Sequence, residues 1–316
     1  MPEAYDIAII GGGPAGLTAG LYASRARMKT VLVEKMACGG QVLITDTIEN
    51  FPGFPEGIKG PDLAEWMFKQ ANHFGLEVRQ AEAAGVGMNK KEDGAFSVEL
   101  ADGTKIGALS LIVSTGARWN SLGVPGEKEL TGRGVSYCAT CDGPLFKGRE
   151  VAVIGGGDTA LEDALFLTRF ADKVTIIHRR DRFRGTKILQ ERVFANGRIE
   201  IRFNSVATGI TGSRKCEAVE IKDVGTGSAG SIKASGVFVL IGMTPNSEIF
   251  KGIVETDGKG YMICDDDMKT SVEGIFACGD VRRKLLRQVV TACGDGATAA
   301  FSAQHYLERL KGVEYK

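Results

Sequence analysis

Apolar and polar positions along the chain follow two different periods. Short apolar runs lie within Tyr5–Ile10, Thr30–Val33, Leu109–Ser114, Glu150–Ile154, Lys173–Ile177, Val237–Ile241 and Gly274–Ala277. Runs of four to six such residues, without alternation, predict strands covered on both faces, as in a parallel sheet. Between them Leu17–Ser24, Leu63–Phe74, the stretch from Leu161 and the small-residue segment Ala292–Ala300 carry helical spacing. A weak alternation in Phe96–Leu100 and Lys105–Ile106, around Asp102-Gly103, predicts a hairpin. Ile201–Ile221 predicts further strands, and Gly225–Gly230 a polar hairpin loop. Alternating strands and helices predict an α/β fold of three-layer, Rossmann-like architecture.

Two of the strands run straight into glycine turns. Gly11, Gly13 and Gly16, with Pro14 and Ala15 among them, form Gly-x-Gly-x-x-Gly between a strand and a helix. There the glycines permit a tight turn and let a pyrophosphate approach a helix N-terminus. The next strand ends at Glu34, eighteen residues after Gly16, where a carboxylate can accept from both ribose hydroxyls of an adenosine. Gly155, Gly156, Gly157, Asp158, Thr159 and Ala160 repeat the pattern after Glu150–Ile154. The strand that follows ends in His178, Arg179 and Arg180, with Arg182 and Arg184 close behind. Guanidinium forks in place of a carboxylate suit a 2'-phosphate and favour NADPH over NADH; Arg182 reads as a solvated charge. Small residues at Thr115–Ala117 and at Gly242–Pro245 bracket this second turn. The economical organisation is one domain inserted into another, with 117–244 between 1–116 and 245–316.

Composition narrows the class. The chain has 316 residues, 43% of them apolar, and equal acid and base at 39 each. That is enough for two cores, and it offers no basic field for nucleic acid or an anionic membrane. No run of eighteen apolar residues occurs, and Met1–Asp6 lacks the basic and apolar regions of a secretory leader, so a cytoplasmic protein is expected. Seven cysteines, an odd number, suit a reducing compartment with one working pair.

The pair that stands out is Cys138-Ala-Thr-Cys141, followed by Asp142. Cysteines at this spacing can close a small disulfide ring that accepts and releases two electrons. Half of a zinc site is the competing reading, but no second pair lies at ligand spacing and the three histidines are scattered. No metal is expected. Two further stretches offer polar backbone to a ligand. Gly39, Gly40 and Gln41, in a loop that runs on to Asn50 and Gly53, could lie against a flat ring. Gly279-Asp280 ends a strand in an acid able to hold a polyol, with Arg287, Gln288 and Val289 ahead of the small-residue helix.

Together these motifs resemble the bacterial-type, low-molecular-weight thioredoxin reductases over essentially the whole chain. The resemblance rests on Gly11–Gly16, Gly39-Gly40-Gln41, Asn50, Cys138–Asp142, Gly155–Ala160, His178-Arg179-Arg180 with Arg184, Gly279-Asp280 and Arg287-Gln288. It implies FAD on the first domain, at the glycine turn, Glu34, Lys35, the Gly39 loop, Asn50 and the Gly279–Val289 segment. It implies NADPH on the inserted domain, at the second turn, the arginines and Gly242, and it implies a homodimer. Two electrons would pass from NADPH through FAD to the Cys138/Cys141 disulfide and on to thioredoxin. Cys141 would face the flavin and open exchange, Cys138 would resolve the mixed disulfide, and Asp142 would protonate the departing thiolate. Both electron partners share the inserted domain, so it is expected to rotate between half-reactions. Cys293, where alanine is usual, and Cys38 read as small residues without a redox role. The end at Lys316 sets the chain apart, as an expectation, from the peroxide-reductase flavoproteins with an extra domain. A relative fed by ferredoxin would lack the arginine site, and a flavin-bearing redox sensor would bind without turnover.

Overall fold

The computed structural model describes residues 3–45, 47–89 and 95–313. Most of the apolar runs are strands, and their neighbours in the chain are helices. In order they are β1 (Glu3–Ile10), α1 (Pro14–Arg25), β2 (Thr30–Glu34), α2 (Gly60–His73), β3 (Glu77–Gln80), β4 (Ala83–Asn89), β5 (Ala95–Leu100), β6 (Lys105–Val113) and β7 (Ala117–Trp119). There follow β8 (Val135–Ser136), α3 (Ala139–Asp142), β9 (Glu150–Gly155), α4 (Asp158–Leu167), β10 (Lys173–Ile177) and α5 (Lys187–Ala195). The remainder are β11 (Ile199–Arg202), β12 (Ser205–Thr211), β13 (Ala218–Asp223), β14 (Ala229–Lys233), β15 (Gly236–Leu240), β16 (Met243–Pro245), β17 (Ile275–Ala277) and α6 (Val289–Lys311). Residues 1–2 and 314–316, on which the expectations about a leader and a chain end bear, lie outside the described residues.

The chain divides into two compact units, Met1–Arg118 with Thr244–Lys316, and Trp119–Met243. It passes between them at β7 and β16, the two strands of a small sheet of their own.

The first unit is built on a seven-stranded sheet ordered β3-β2-β1-β6-β5-β4, with β17 also against β6. The sequence suggested two separate pieces for β6; it is one nine-residue strand that changes partner halfway. Its first half pairs antiparallel with β5 (Phe96 with Ala108), and its last residues pair parallel with β17 (Leu111 with Ile275). Burial changes at the same point, alternating over the first residues and continuous over the last four. Ile7, Ile9, Leu32, Ile112 and Phe276 face a layer formed by α1 and α6. Ala8, Ile10, Val31, Val33, Leu111 and Val113 face the opposite layer, with Phe250 and Met262. The helix expected over Ala292–Ala300 spans the 23 residues of α6, and its small residues serve close packing: a Cβ on Gly296 would lie 2.2 Å from Ala15 O in α1.

The second unit carries an all-parallel sheet ordered β11-β10-β9-β15-β8. Val151, Val153, Val174, Ile176 and Phe238 pack under α4 and α5. Ala152, Ile154, Ile177, Val237 and Val239 face the antiparallel sheet β12-β13-β14 through Ile210 and Val219. Each unit is therefore three-layered, with a glycine turn at the C-terminal end of its central strand, where open α/β sheets bind ligands.

Candidate active site

The Gly11 turn is held by contacts that exclude side chains. Gly11 has φ +107°, and a Cβ there would lie 2.4 Å from Ser114 O. A Cβ on Gly16 would lie 1.9 Å from Gly11 O, so α1 starts hard against the turn. Ser114 Oγ donates within reach of Ile10 O and Gly11 O, at 3.1 and 2.8 Å. By contrast, nothing lies within 4 Å of a Cβ on Gly13, the N-cap of α1, so the N-terminus of this helix opens onto free space. Glu34 accepts from the Gly12 amide at 2.7 Å and the Met36 amide at 3.0 Å, which fixes its carboxylate beside the turn.

The other residues of the first group converge on the same end of the sheet. The Gly39 amide donates to Gly12 O at 2.8 Å, and the loop continues as a short 3-10 helix, Gly40–Ile44, with the Gln41 side-chain amide donating to Ala117 O. Asn50 donates to Gln288 Oε1 at 3.0 Å, bringing that loop to the N-cap of α6. A Cβ on Gly279 would come within 2.9 Å of Ala15, so Asp280 starts a turn beside α1. Asp280 Oδ1 and Arg287 Nε are buried and find no partner among the described residues. Burial pushes the Asp280 carboxyl up, against the opposing pull of Lys284 and Arg287. Val289 is the first residue of α6. Lys35 is the outlier: it is exposed, 3.9 Å from Glu82.

The second group gathers at the ends of β9, β10 and β15. A Cβ on Gly155 would meet Leu240 O at 2.5 Å, and one on Gly156 the His178 ring at 2.3 Å. Gly157 caps α4 and again faces open space. Asp158 Oδ1 accepts from the Thr186 amide at 2.6 Å, and Gly156 O accepts from the Arg184 amide at 2.8 Å, so the arginine loop folds back onto the turn. Arg179, Arg180, Arg182 and Arg184 are exposed and form no ion pair among the described residues. His178 is buried against Phe183 and Phe203; burial, with Arg184 and Arg180 nearby, holds it below the usual histidine range. Thr159 lies in the first turn of α4, and Gly242, φ +109°, accepts from the Asn120 amide at 3.0 Å.

Cys138 and Cys141 form a disulfide, with Cα atoms 5.4 Å apart, on the one-turn helix α3. The Cys141 amide donates to Cys138 Sγ at 3.2 Å, and the Cys138 amide donates to Ser136 Oγ at 3.1 Å. Both cysteines and Asp142 are half-buried, while Ala139 is fully buried against α4. The remaining thiols are poor nucleophiles. Burial pushes Cys38 and Cys216 up to about 11 each, and raises Cys264, Cys278 and Cys293 as well.

Three acids of consequence escaped the sequence reading. Asp295 braces Gly279 through its amide (3.1 Å) and binds Arg282 (3.1 Å) and Lys284 (2.7 Å). Glu127 is buried beneath the segment that leads to the cysteines. Asp163 accepts the Ala139 amide, and burial, then Glu162, pushes its carboxyl up to about 6. Asp163 did carry a signal: with Ala160, Ala164 and Leu167 it occupies the apolar stripe of α4.

Two three-layered units with glycine turns, one of them bearing a disulfide at Cys-x-x-Cys spacing, define a disulfide oxidoreductase of the two-nucleotide kind. Residues 5–296 match the pyridine nucleotide-disulphide oxidoreductase family, and the chain belongs to it. It is 48% identical over 314 residues to the thioredoxin reductase of Peptoclostridium acidaminophilum, covering 98% of each chain. It is 47% identical over 308 residues to that of Bacillus subtilis, covering 97% of this chain and 96% of the relative. The crystal structure of thioredoxin reductase from Streptococcus pyogenes superposes with a TM-score of 0.92 at 44% identity, covering 98% of this chain and 100% of that one.

Proposed function

We propose that the chain is an NADPH-dependent flavoprotein that reduces the disulfide of thioredoxin, working as a cytoplasmic homodimer. The observation that carries this reading is the Cys138–Cys141 disulfide on a unit that also bears a glycine turn followed by arginines that form no ion pair among the described residues. The unit holding β1 and α6 is assigned to FAD and Trp119–Met243 to NADPH.

The residues present fit both groups. Open space before Gly13 and Gly157, each at a helix N-terminus, accommodates a pyrophosphate. Orphaned Asp280 Oδ1 and Arg287 Nε are buried polar atoms that a flavin's ribityl chain and ring could satisfy. Glu34 keeps a carboxylate for a ribose, while the exposed guanidinium groups of Arg179, Arg180 and Arg184 suit a 2'-phosphate. When bound, FAD and NADPH would supply the hydride transfer that no side chain provides.

The chain's own part is disulfide exchange. Two electrons open the Cys138–Cys141 bond. The Cys141 thiolate then attacks a sulfur of thioredoxin's disulfide, forming a mixed disulfide and expelling one thiolate, which Asp142 protonates. Cys138 attacks Cys141 Sγ, re-forms the internal bond and releases dithiol thioredoxin. Because the cysteines and the second glycine turn share one unit, we also propose that this unit rotates between half-reactions, about crossings that contain Gly116 and Gly242, both at positive φ. The test is NADPH oxidation by the purified yellow protein. Turnover that requires thioredoxin supports the reading; turnover with a dye alone, indifferent to thioredoxin, removes it.

A further inference from the structure

Glu127 has no evident reason to be buried. It is 4% exposed and has no ion pair among the described residues, and such a carboxylate is costly unless hydrogen bonds replace its water. Three donors converge on it: the Leu122 amide at 2.9 Å and the Tyr137 hydroxyl at 2.9 Å on Oε1, and the Gly123 amide at 2.8 Å on Oε2. Its backbone oxygen accepts from Thr131 Oγ1 at 2.8 Å. Tyr137 immediately precedes Cys138. Its ring stacks on Trp119, with centroids 5.2 Å apart and planes 17° apart. Burial, then the bond to Glu127, pushes the Tyr137 hydroxyl up to about 12, so it stays a donor at every working pH. The segment that enters this unit, Trp119–Gly123, and the residue that leads into the redox pair are thus joined through one carboxylate and one stacked ring.

We propose that Glu127 and Tyr137 are positioning residues for the Cys138/Cys141 couple, holding the two sulfurs close while they are thiols and so setting the reduction potential of the pair. In the oxidised pair the S–S bond itself fixes the sulfurs. Once that bond opens, Cys138 is placed by its neighbours: Ser136 through the Cys138 amide, and Tyr137 through Glu127 and Trp119. A dithiol held ready to close has a high effective concentration of one thiol toward the other, which favours the disulfide. Freeing Tyr137 lowers that concentration and makes the pair easier to reduce. The inference rests on Cys138/Cys141 being the working couple, but not on which protein accepts its electrons.

The test is a redox titration of the holoenzyme against dithiothreitol. As the protein's S–S bond opens, dithiothreitol closes to its cyclic disulfide, and two electrons and two protons pass to the pair. Thiols are counted by alkylation. Tyr137→Phe removes one oxygen and keeps the stacking surface, and Glu127→Gln alters the acceptor. Each should shift the equilibrium about tenfold toward the dithiol, equivalent to about 30 mV. The double variant should shift no further, since the two act as one device. A Tyr137→Phe titration that overlays the wild type, or moves toward the disulfide, overturns the proposal even if Glu127→Gln fails to fold. Absence of thioredoxin turnover would remove the proposed substrate and leave this titration to decide the positioning role by itself.

Discussion

Replacing Asp163 with asparagine should stabilise the protein at neutral pH and do almost nothing in acid. Asp163 is half-buried on the side of α4 that carries Ala160, Ala164 and Leu167, next to Glu162, and it accepts the Ala139 amide. Its carboxyl is pushed from 3.8 up to about 6 by burial first and Glu162 second, with the amide opposing. An acid so raised keeps its proton in the folded chain at pH values where the unfolded chain has lost it. Stability from this group is complete below about pH 4 and is lost as pH rises through about 6. Two pH units at about 1.36 kcal/mol each make the ionised group costly by ~3 kcal/mol at pH 8. Asparagine has the same outline and no ionisation, and its oxygen can still take the Ala139 amide as a neutral acceptor, as the protonated acid does. The net gain at pH 8 is therefore about 3 kcal/mol, several degrees in the melting temperature of the unit that carries it. Thermal scans of both proteins from pH 4.5 to 8 should show curves that nearly coincide in acid and separate through pH 6. A gain independent of pH, or a loss at pH 8, would show that the ionised carboxylate is better accommodated than its burial indicates and would refute the reasoning.

Arg179→Ala should lower kcat/KM with NADPH by about tenfold or more and leave NADH nearly unchanged, since a charge-assisted bond to a 2'-phosphate contributes roughly 1.5–3 kcal/mol. Equal losses with both coenzymes would remove the arginines from the site. Cys141→Ser should retain its yellow colour and NADPH-driven dye reduction while thioredoxin reduction collapses; persistent thioredoxin turnover would mean that another thiol is the relay. Asp280→Asn should raise the dissociation constant of FAD about tenfold, read from flavin released on dilution, because its buried oxygen would lose a charge-assisted partner. Unchanged flavin retention would place the orphaned carboxyl outside the cofactor site.

What was legible in the chain and what was not divide along a physical line. β1, β2, β9, β10 and β15 could be read because a strand covered on both faces must be apolar throughout. The two glycine turns could be read because backbone approaches as close as those at Gly11, Gly16 and Gly155 leave no room for a Cβ, so the demand is written into residue type. β3 escaped because an edge strand of sequence Glu-Val-Arg-Gln has no apolar face, and α5 because only Leu189 and Val193 of its nine residues are buried while Ile188 and Phe194 are exposed. β6 was split in two because its exposure pattern changes where its partner changes from β5 to β17.

The acids near the cysteines were hidden for another reason. Nothing in Pro125-Gly126-Glu127 says that the glutamate turns inward; that follows only once Leu122, Gly123 and Tyr137 direct three donors at one point. Asp163 needs α3 laid on α4 before it has an amide to accept. The side chains proposed to perform the exchange are thus declared by spacing along the chain, since two sulfurs three residues apart can meet whatever surrounds them. Side chains that would tune it depend on tertiary contact: Glu127 reaches Tyr137, beside Cys138, only through the fold, and Asp163 reaches the Ala139 amide in the same way. On the positioning role proposed above, changes at Glu127 or Tyr137 should alter the reduction potential while Cys138 and Cys141 stay in place, whereas a change at Asp163 should alter stability and its pH response.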